Sequence, residues 1–145
     1  MAAYASESEI QKEFKSITWS AVAGGIEATT VTRWTEEESA IIDSYLGGIY
    51  KIPITGTQSL LTVKKICILM VSSRVKRTLQ VKNIDPATQN QVSDDEYKQS
   101  IKILEDLRDQ VNLLPDAPRI ETASSNKKVF YSAEPPTFKK GTEQW

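Results

Sequence analysis

Histidine is absent from these 145 residues, and cysteine occurs once, at Cys67. Without imidazole the chain has no Ser–His or Cys–His nucleophile pair, lacks the commonest general base and cannot build an imidazole metal site. A single thiol excludes a disulfide within the chain, CxxC redox chemistry and a thiolate zinc cluster. It suits a chain that folds in a reducing cytoplasm. Long apolar runs are also missing. The longest, Ile66 to Val71, falls far short of the ~20 residues of a membrane span. The N-terminal stretch Met1 to Glu9 is polar and acidic, which does not read as a signal peptide, so no membrane partner is expected. Gly24-Gly25 and Gly47-Gly48 follow neither a phosphate-loop nor a dinucleotide pattern. The carboxylates fall mostly where helix capping explains them. Asp43, beside Ile42 and Tyr45, is the exception, but a lone carboxylate makes no active site. Catalytic, cofactor-binding and metal-ligating residues are therefore expected to be none, and the chain is read as a non-enzyme.

What is present suits one globular domain with some unpacked length. Apolar residues make up 39%, charged residues 26%, and the mean hydropathy is −0.37. Three Ser/Thr-x-x-Glu boxes punctuate the chain, a pattern that satisfies orphan N–H groups at helix starts. Ser6 with Glu9 predicts a short helix over 7–15, with Ile10 and Phe14 on one face. Thr35 with Glu38 predicts a second over 36–50, striped by Ile41, Ile42, Tyr45, Leu46 and Ile49. Ser93 with Glu96 predicts another over 94–114, with Tyr97, Ile101, Leu104, Leu107, Val111 and Leu114 as its stripe and Pro115 ending it. A helix over 58–80 is apolar nearly all round in its middle, as the central helix of a bundle would be. Cys67 sits in that run and reads as a small core residue.

Between the first two helices, β-prone residues around Gly24-Gly25 predict a β-hairpin or an extended loop at 16–34. Val81 to Val92, polar and holding Asp85-Pro86, reads as a connecting loop. The fold class expected is thus mainly all-α, a small bundle of about four helices. After Pro115 the helical period stops. The domain organisation expected is a helical core over 1–115 and an extended C-terminal arm over 116–145. That arm keeps Val129, Phe130, Tyr131, Phe138 and Trp145, and a plain disordered tail is usually poor in aromatics. It either orders on a partner through these residues or packs on its own domain. In the first case, deleting 116–145 should leave a folded core.

The net charge of −1 hides a segregation. From Leu60 to Gln80 there are five basic residues, Lys64, Lys65, Arg74, Lys76 and Arg77, and no acid. From Asp94 to Asp116 seven acids face three basic residues. The faces either pair within the chain, at ~0–1 kcal/mol per exposed pair, or meet head to tail between subunits, which closes a ring when the rotation permits. The basic helix lacks the Asn, Gln and Arg base-readers of a recognition helix, so a DNA-binding regulator is a weak reading. Non-specific contact with phosphates of double-stranded DNA stays open.

The block Ile42-Asp43-Ser44-Tyr45-Leu46-Gly47-Gly48-Ile49-Tyr50-Lys51-Ile52-Pro53-Ile54 resembles a signature of the Mu-like tailed-phage head–tail connector, or head-completion adaptor, family. There a helix with an I-D-x-Y-L pattern runs into R-Y-x-L-P-L, and a long apolar helix follows. Tyr4-Ala5-Ser6, Ile10 and Phe14 are similar to the family's N-terminus, and Val129-Phe130 with Trp145 to its end. The signature residues are Ile42, Asp43, Tyr45, Leu46, Tyr50 and Pro53. In the residues themselves, Gly47-Gly48 suits helix termination or close approach, and Pro53 is read as stopping the helix and holding Ile52 extended.

The resemblance implies a structural protein of the virion neck, made in the host cytoplasm. It forms a ring, usually of twelve subunits, under the portal protein, extends the DNA channel and offers a surface to a tail-side neck or tail protein. The arm residues would bind the partner. Lys64, Lys65, Arg74, Lys76 and Arg77 would face channel DNA or a neighbouring subunit. The alternatives are another neck or tail-completion protein, and a small helical protein-interaction module unrelated to phage.

Overall fold

The computed structural model describes residues 3–22, 25–80 and 86–120. They form an all-α bundle of four helices, α1 (Glu7–Glu13), α2 (Ala28–Leu46), α3 (Thr57–Gln80) and α4 (Pro86–Arg108). Among the described residues there is no strand, only an isolated antiparallel bridge between Tyr50 and Arg119.

The first helix starts where the sequence places it. The Ser6 N–H donates to Glu9 Oε2 at 2.9 Å, and Ile10 turns inward, fully buried. The hairpin-or-loop alternative at 16–34 resolves to a loop among the described residues. It is closed by Ser20 N–H donating to the Ile26 carbonyl at 2.9 Å, and helix has already begun at Ala28.

That early start corrects the expectation of a helix over 36–50: α2 begins eight residues sooner. Its buried face is Val31, Trp34, Thr35, Glu38, Ser39, Ile42, Asp43 and Leu46, an unbroken helical stripe in which half the positions are polar. Thr35 and Glu38 therefore do not cap. Thr35 Oγ1 donates to the Thr32 carbonyl at 2.6 Å inside the helix. At the other end Gly47 caps α2, and a Cβ there would meet the Asp43 carbonyl at 2.7 Å. The helix thus ends at the glycine, not at Pro53, which is exposed beyond it.

The third helix runs as predicted and touches each of the other three. Val63, Ile66, Cys67, Met70, Val71 and Val75 are buried along it. The Cys67 thiol lies 3.7 Å from Ser39 Oγ, and burial pushes its pKa up to about 11, as befits a core residue.

The fourth helix also starts eight residues before the expected position 94, with Pro86 at its first position. Proline is pre-organised there, and its missing N–H is no loss. The connecting loop expected over 81–92 is thus helix from Pro86 onward. Ser93 and Glu96 lie inside the helix. The helix ends at Arg108 rather than at Pro115. Val111 N–H donates to the Asp106 carbonyl at 2.9 Å and Gln110 N–H to the Leu107 carbonyl at 3.3 Å. With Gln110 at φ 61°, this is a Schellman closure made without the usual glycine. Val111 consequently leaves the apolar stripe and is 72% exposed.

Candidate functional site

The family-like block 42–54 forms the junction of the bundle. Ile42, Leu46 and Tyr50 are fully buried. Asp43 projects from α2 into a hydrogen-bonded node. The Tyr4 hydroxyl donates to Asp43 Oδ1 and accepts the Ile54 N–H at 2.9 Å. The Tyr4 N–H donates to Ser39 Oγ at 2.9 Å, whose hydroxyl donates to the Thr35 carbonyl at 2.6 Å. One tyrosine thereby ties the N-terminal segment and the α2–α3 loop to α2. Burial, and then the hydrogen bond to Asp43, push the Tyr4 phenol up to about 12. It remains a neutral donor, and Asp43 is a structural acceptor.

Tyr50 does the matching work for the C-terminal segment. Its hydroxyl accepts the Leu114 N–H at 3.2 Å, and the Arg119 guanidinium lies 5.9 Å from its ring centre. Lys51 N–H donates to the Pro118 carbonyl and Ile120 N–H to the Ile49 carbonyl, both at 2.8 Å. Tyr45 is half-buried under Arg108, 5.8 Å from its ring centre.

Asp116 closes the junction. Its carboxylate accepts the Gln58 N–H at 2.9 Å, the Ser59 N–H at 2.8 Å and the Ser59 hydroxyl. It is the N-terminal cap of α3, delivered from 58 residues away in sequence. The Ser59 hydroxyl first, and the backbone donors after it, hold this carboxyl below its usual range. Gly56 makes the approach feasible. Its φ is +103°, and a Cβ there would meet the Asp116 side chain at 2.6 Å. Sequence reading missed Gly56 and Asp116. The only signal was a glycine just before the helix. Residues 116–120 are thus stitched to the core. Val129, Phe130, Tyr131, Phe138 and Trp145 lie outside the described residues.

The five basic residues of α3 do not form one open face. Lys64 pairs with Glu9 at 2.8 Å. Arg74 pairs with Glu37 at 2.7 Å and Glu38 at 2.9 Å, and lies 5.1 Å from the Trp34 ring centre. Lys76 pairs with Glu96 at 2.7 Å, and Arg77 with Asp94. Of the five, only Lys65, which is exposed, has no ion pair among the described residues. Four of them are thus paired within the chain, but only Lys76 and Arg77 with the acids of 94–116; Lys64 and Arg74 are taken up by α1 and α2 instead. Glu38 is the deepest member, its side chain 2% exposed. It also accepts the Tyr97 hydroxyl at 3.2 Å. Burial and the Glu38 charge push that phenol up to about 12. The resulting cleft, about 420 Å³, is lined by acids of α2 and basic residues of α3, with Tyr97 of α4 beside them.

Among the described residues no cluster of ligating side chains could hold a metal ion, and no helix is long and apolar enough to cross a membrane. The chemistry of the junction is attachment: backbone and hydroxyl hydrogen bonds that fix where the C-terminal segment leaves the bundle.

The family model described as "Bacteriophage Mu, Gp36" matches residues 4–132, most of the chain. No curated protein and no solved structure matches.

Proposed function

The chain belongs to the bacteriophage Mu Gp36 family, and from that premise we propose that this phage structural or morphogenesis protein is a neck adaptor. In this reading copies of the chain form a ring under the portal protein, extend the DNA channel and present an attachment surface to the tail side. The observation that carries it is the stitched root of the arm. Asp116, Pro118 and Ile120 are bonded to Ser59, Lys51 and Ile49, so the bundle is a firm base from which 121–145 can project. Phe138 and Trp145, distal in that arm, serve as aromatic anchors, since buried aromatics dominate interface energies. With four α3 cations paired inside the chain, Lys65 is left as the member of that set for channel DNA or a neighbour.

Native mass spectrometry of the full chain, alone and with the portal protein of the same phage, tests the proposal. A stoichiometric high-order complex is expected, lost in the Phe138→Ala/Trp145→Ala variant. A chain that stays monomeric beside an intact portal ring would overturn it.

A further inference from the structure

Leu61, Lys65, Ile68 and Leu69 recur along α3 at i, i+4, i+7 and i+8, the spacing of one helix face. Leu61 is 61% exposed, and Ile68 and Leu69 are half-buried. With Lys64 and with Glu13 of α1 they line a mainly apolar groove of about 310 Å³. Apolar surface gathered at one place normally has an occupant. The charges of this groove are balanced. Lys64 is taken by Glu9 at 2.8 Å. Glu13 and Lys65 are exposed, and neither has an ion pair among the described residues. The α1 wall thus offers a free anion and α3 a free cation, with apolar side chains beside both.

We propose that a second copy of this chain covers the groove, seated by the same face about a two-fold axis. In such a contact residue i meets j while j meets i. Lys65 then faces the partner's Glu13 and Glu13 faces the partner's Lys65, so one residue pair closes two ion pairs. Leu61, Ile68 and Leu69 of both copies pack between them, one α3 against the other. The apolar strip supplies contact, and the two charges fix its orientation. Charge also selects this occupant. A nucleic acid would bring phosphates to Glu13. Val111 and Leu113 are exposed apolar side chains that another copy could insert instead. Exposed Glu105 and Asp109 accompany them, and these would set like charge against Glu13. The groove's own face answers both of its free charges at once. An interface built on three large apolar side chains from each copy belongs to the small class, so the dimer should dissociate on dilution. The pairing concerns the free chain and does not rest on the neck reading.

Sedimentation velocity of the full chain over a concentration series, without any partner, tests the proposal. A reversible monomer–dimer equilibrium is expected. Glu13→Lys and Lys65→Glu each set like charges face to face twice, and each variant alone should dimerise about tenfold more weakly or worse. Mixed together, the two variants should form a heterodimer as tight as the parent dimer, because every charge across the two-fold is again met by its opposite. An ion pair within one chain cannot produce rescue on mixing. Leu61→Asp should abolish association, while Val111→Asp should leave it unchanged. All four positions are exposed, so the urea midpoint of each variant should stay that of the parent. A chain that is monomeric throughout the series would overturn the proposal. So would a dimer that Glu13→Lys leaves intact, two charge variants that stay apart on mixing, or association broken by Val111→Asp and not by Leu61→Asp. The portal experiment is unaffected by any of these outcomes.

Discussion

The two ends of this bundle are held by different chemistry. Where α2 ends and α3 begins, the segments 3–6, 47–59 and 114–120 are joined by neutral or single-charge hydrogen bonds through Tyr4, Tyr50 and Asp116. Toward the opposite end, α2, α3 and α4 are joined by ion pairs: Arg74 with Glu37 and Glu38, Lys76 with Glu96, and Arg77 with Asp94. The difference follows from what is being joined. At the first end the partners are irregular backbone, whose N–H and C=O groups must be paired once buried. At the second they are regular helices whose backbone is already satisfied, so long side chains do the joining and water screens most of the gain.

Removing Tyr50 should separate the two ends most sharply. Tyr50→Ala deletes a fully buried ring and should cost about 3–5 kcal/mol, read as a lower urea midpoint, with the 109–120 amides losing protection first. Arg74→Met should cost about 2–3 kcal/mol, because it strands the buried Glu38 carboxylate. Arg74→Met with Glu38→Met should recover most of that loss; a double variant no better than the single would show that packing over Trp34, not charge, holds the ion-paired end. Tyr4→Phe leaves the Ile54 N–H and one Asp43 oxygen unpaired and should cost about 1–2 kcal/mol. Its urea midpoint should shift equally at low and high salt, whereas variants of the ion-paired end should respond to salt.

The response to pH between about 5 and 8 should be the smallest effect. The Tyr4 and Tyr97 phenols, pushed up to about 12, contribute stability that is whole below their unfolded value of about 10 and lost as pH rises through 12. Cys67, pushed up to about 11, acts in the same direction from about pH 9 upward. Asp116 and Glu9, both lowered, contribute stability present above their unfolded values and lost on acidification below about pH 4. A urea midpoint that is flat in the middle and falls on both sides is expected. With Tyr4→Phe the alkaline fall should shrink at the hydrogen-bonded end, and with Tyr97→Phe at the ion-paired end.

Much of the bundle was legible in the chain. The number of helices, the central place of α3 and the burial of Cys67 follow from apolar periodicity. The starts of α2 and α4 were not. Thr35–Glu38 and Ser93–Glu96 carry the letters of a capping box, yet each lies inside a helix. In α2 the buried stripe is half polar, and an apolar period cannot reveal residues that are buried because Arg74 of α3 and Tyr4 of the N-terminal segment satisfy them. The end of α4 was hidden for a related reason: Gln110 takes the left-handed position that glycine usually announces. In the family-like block, Ile42, Asp43, Leu46 and Tyr50 proved to be the residues of the junction, whereas four of the basic residues of α3 are taken up by five separate acids.

By itself the sequence determined the helical class, the core of α3 and the exclusion of imidazole and disulfide chemistry, because composition and periodicity act locally along the chain. Only the tertiary structure decided that Asp116 caps α3, that Tyr4 holds Asp43 and Ile54, and that Glu38 is buried rather than capping. Each of those outcomes needs a partner dozens of residues away, and a hydrogen bond between distant residues leaves no period in the chain that makes it.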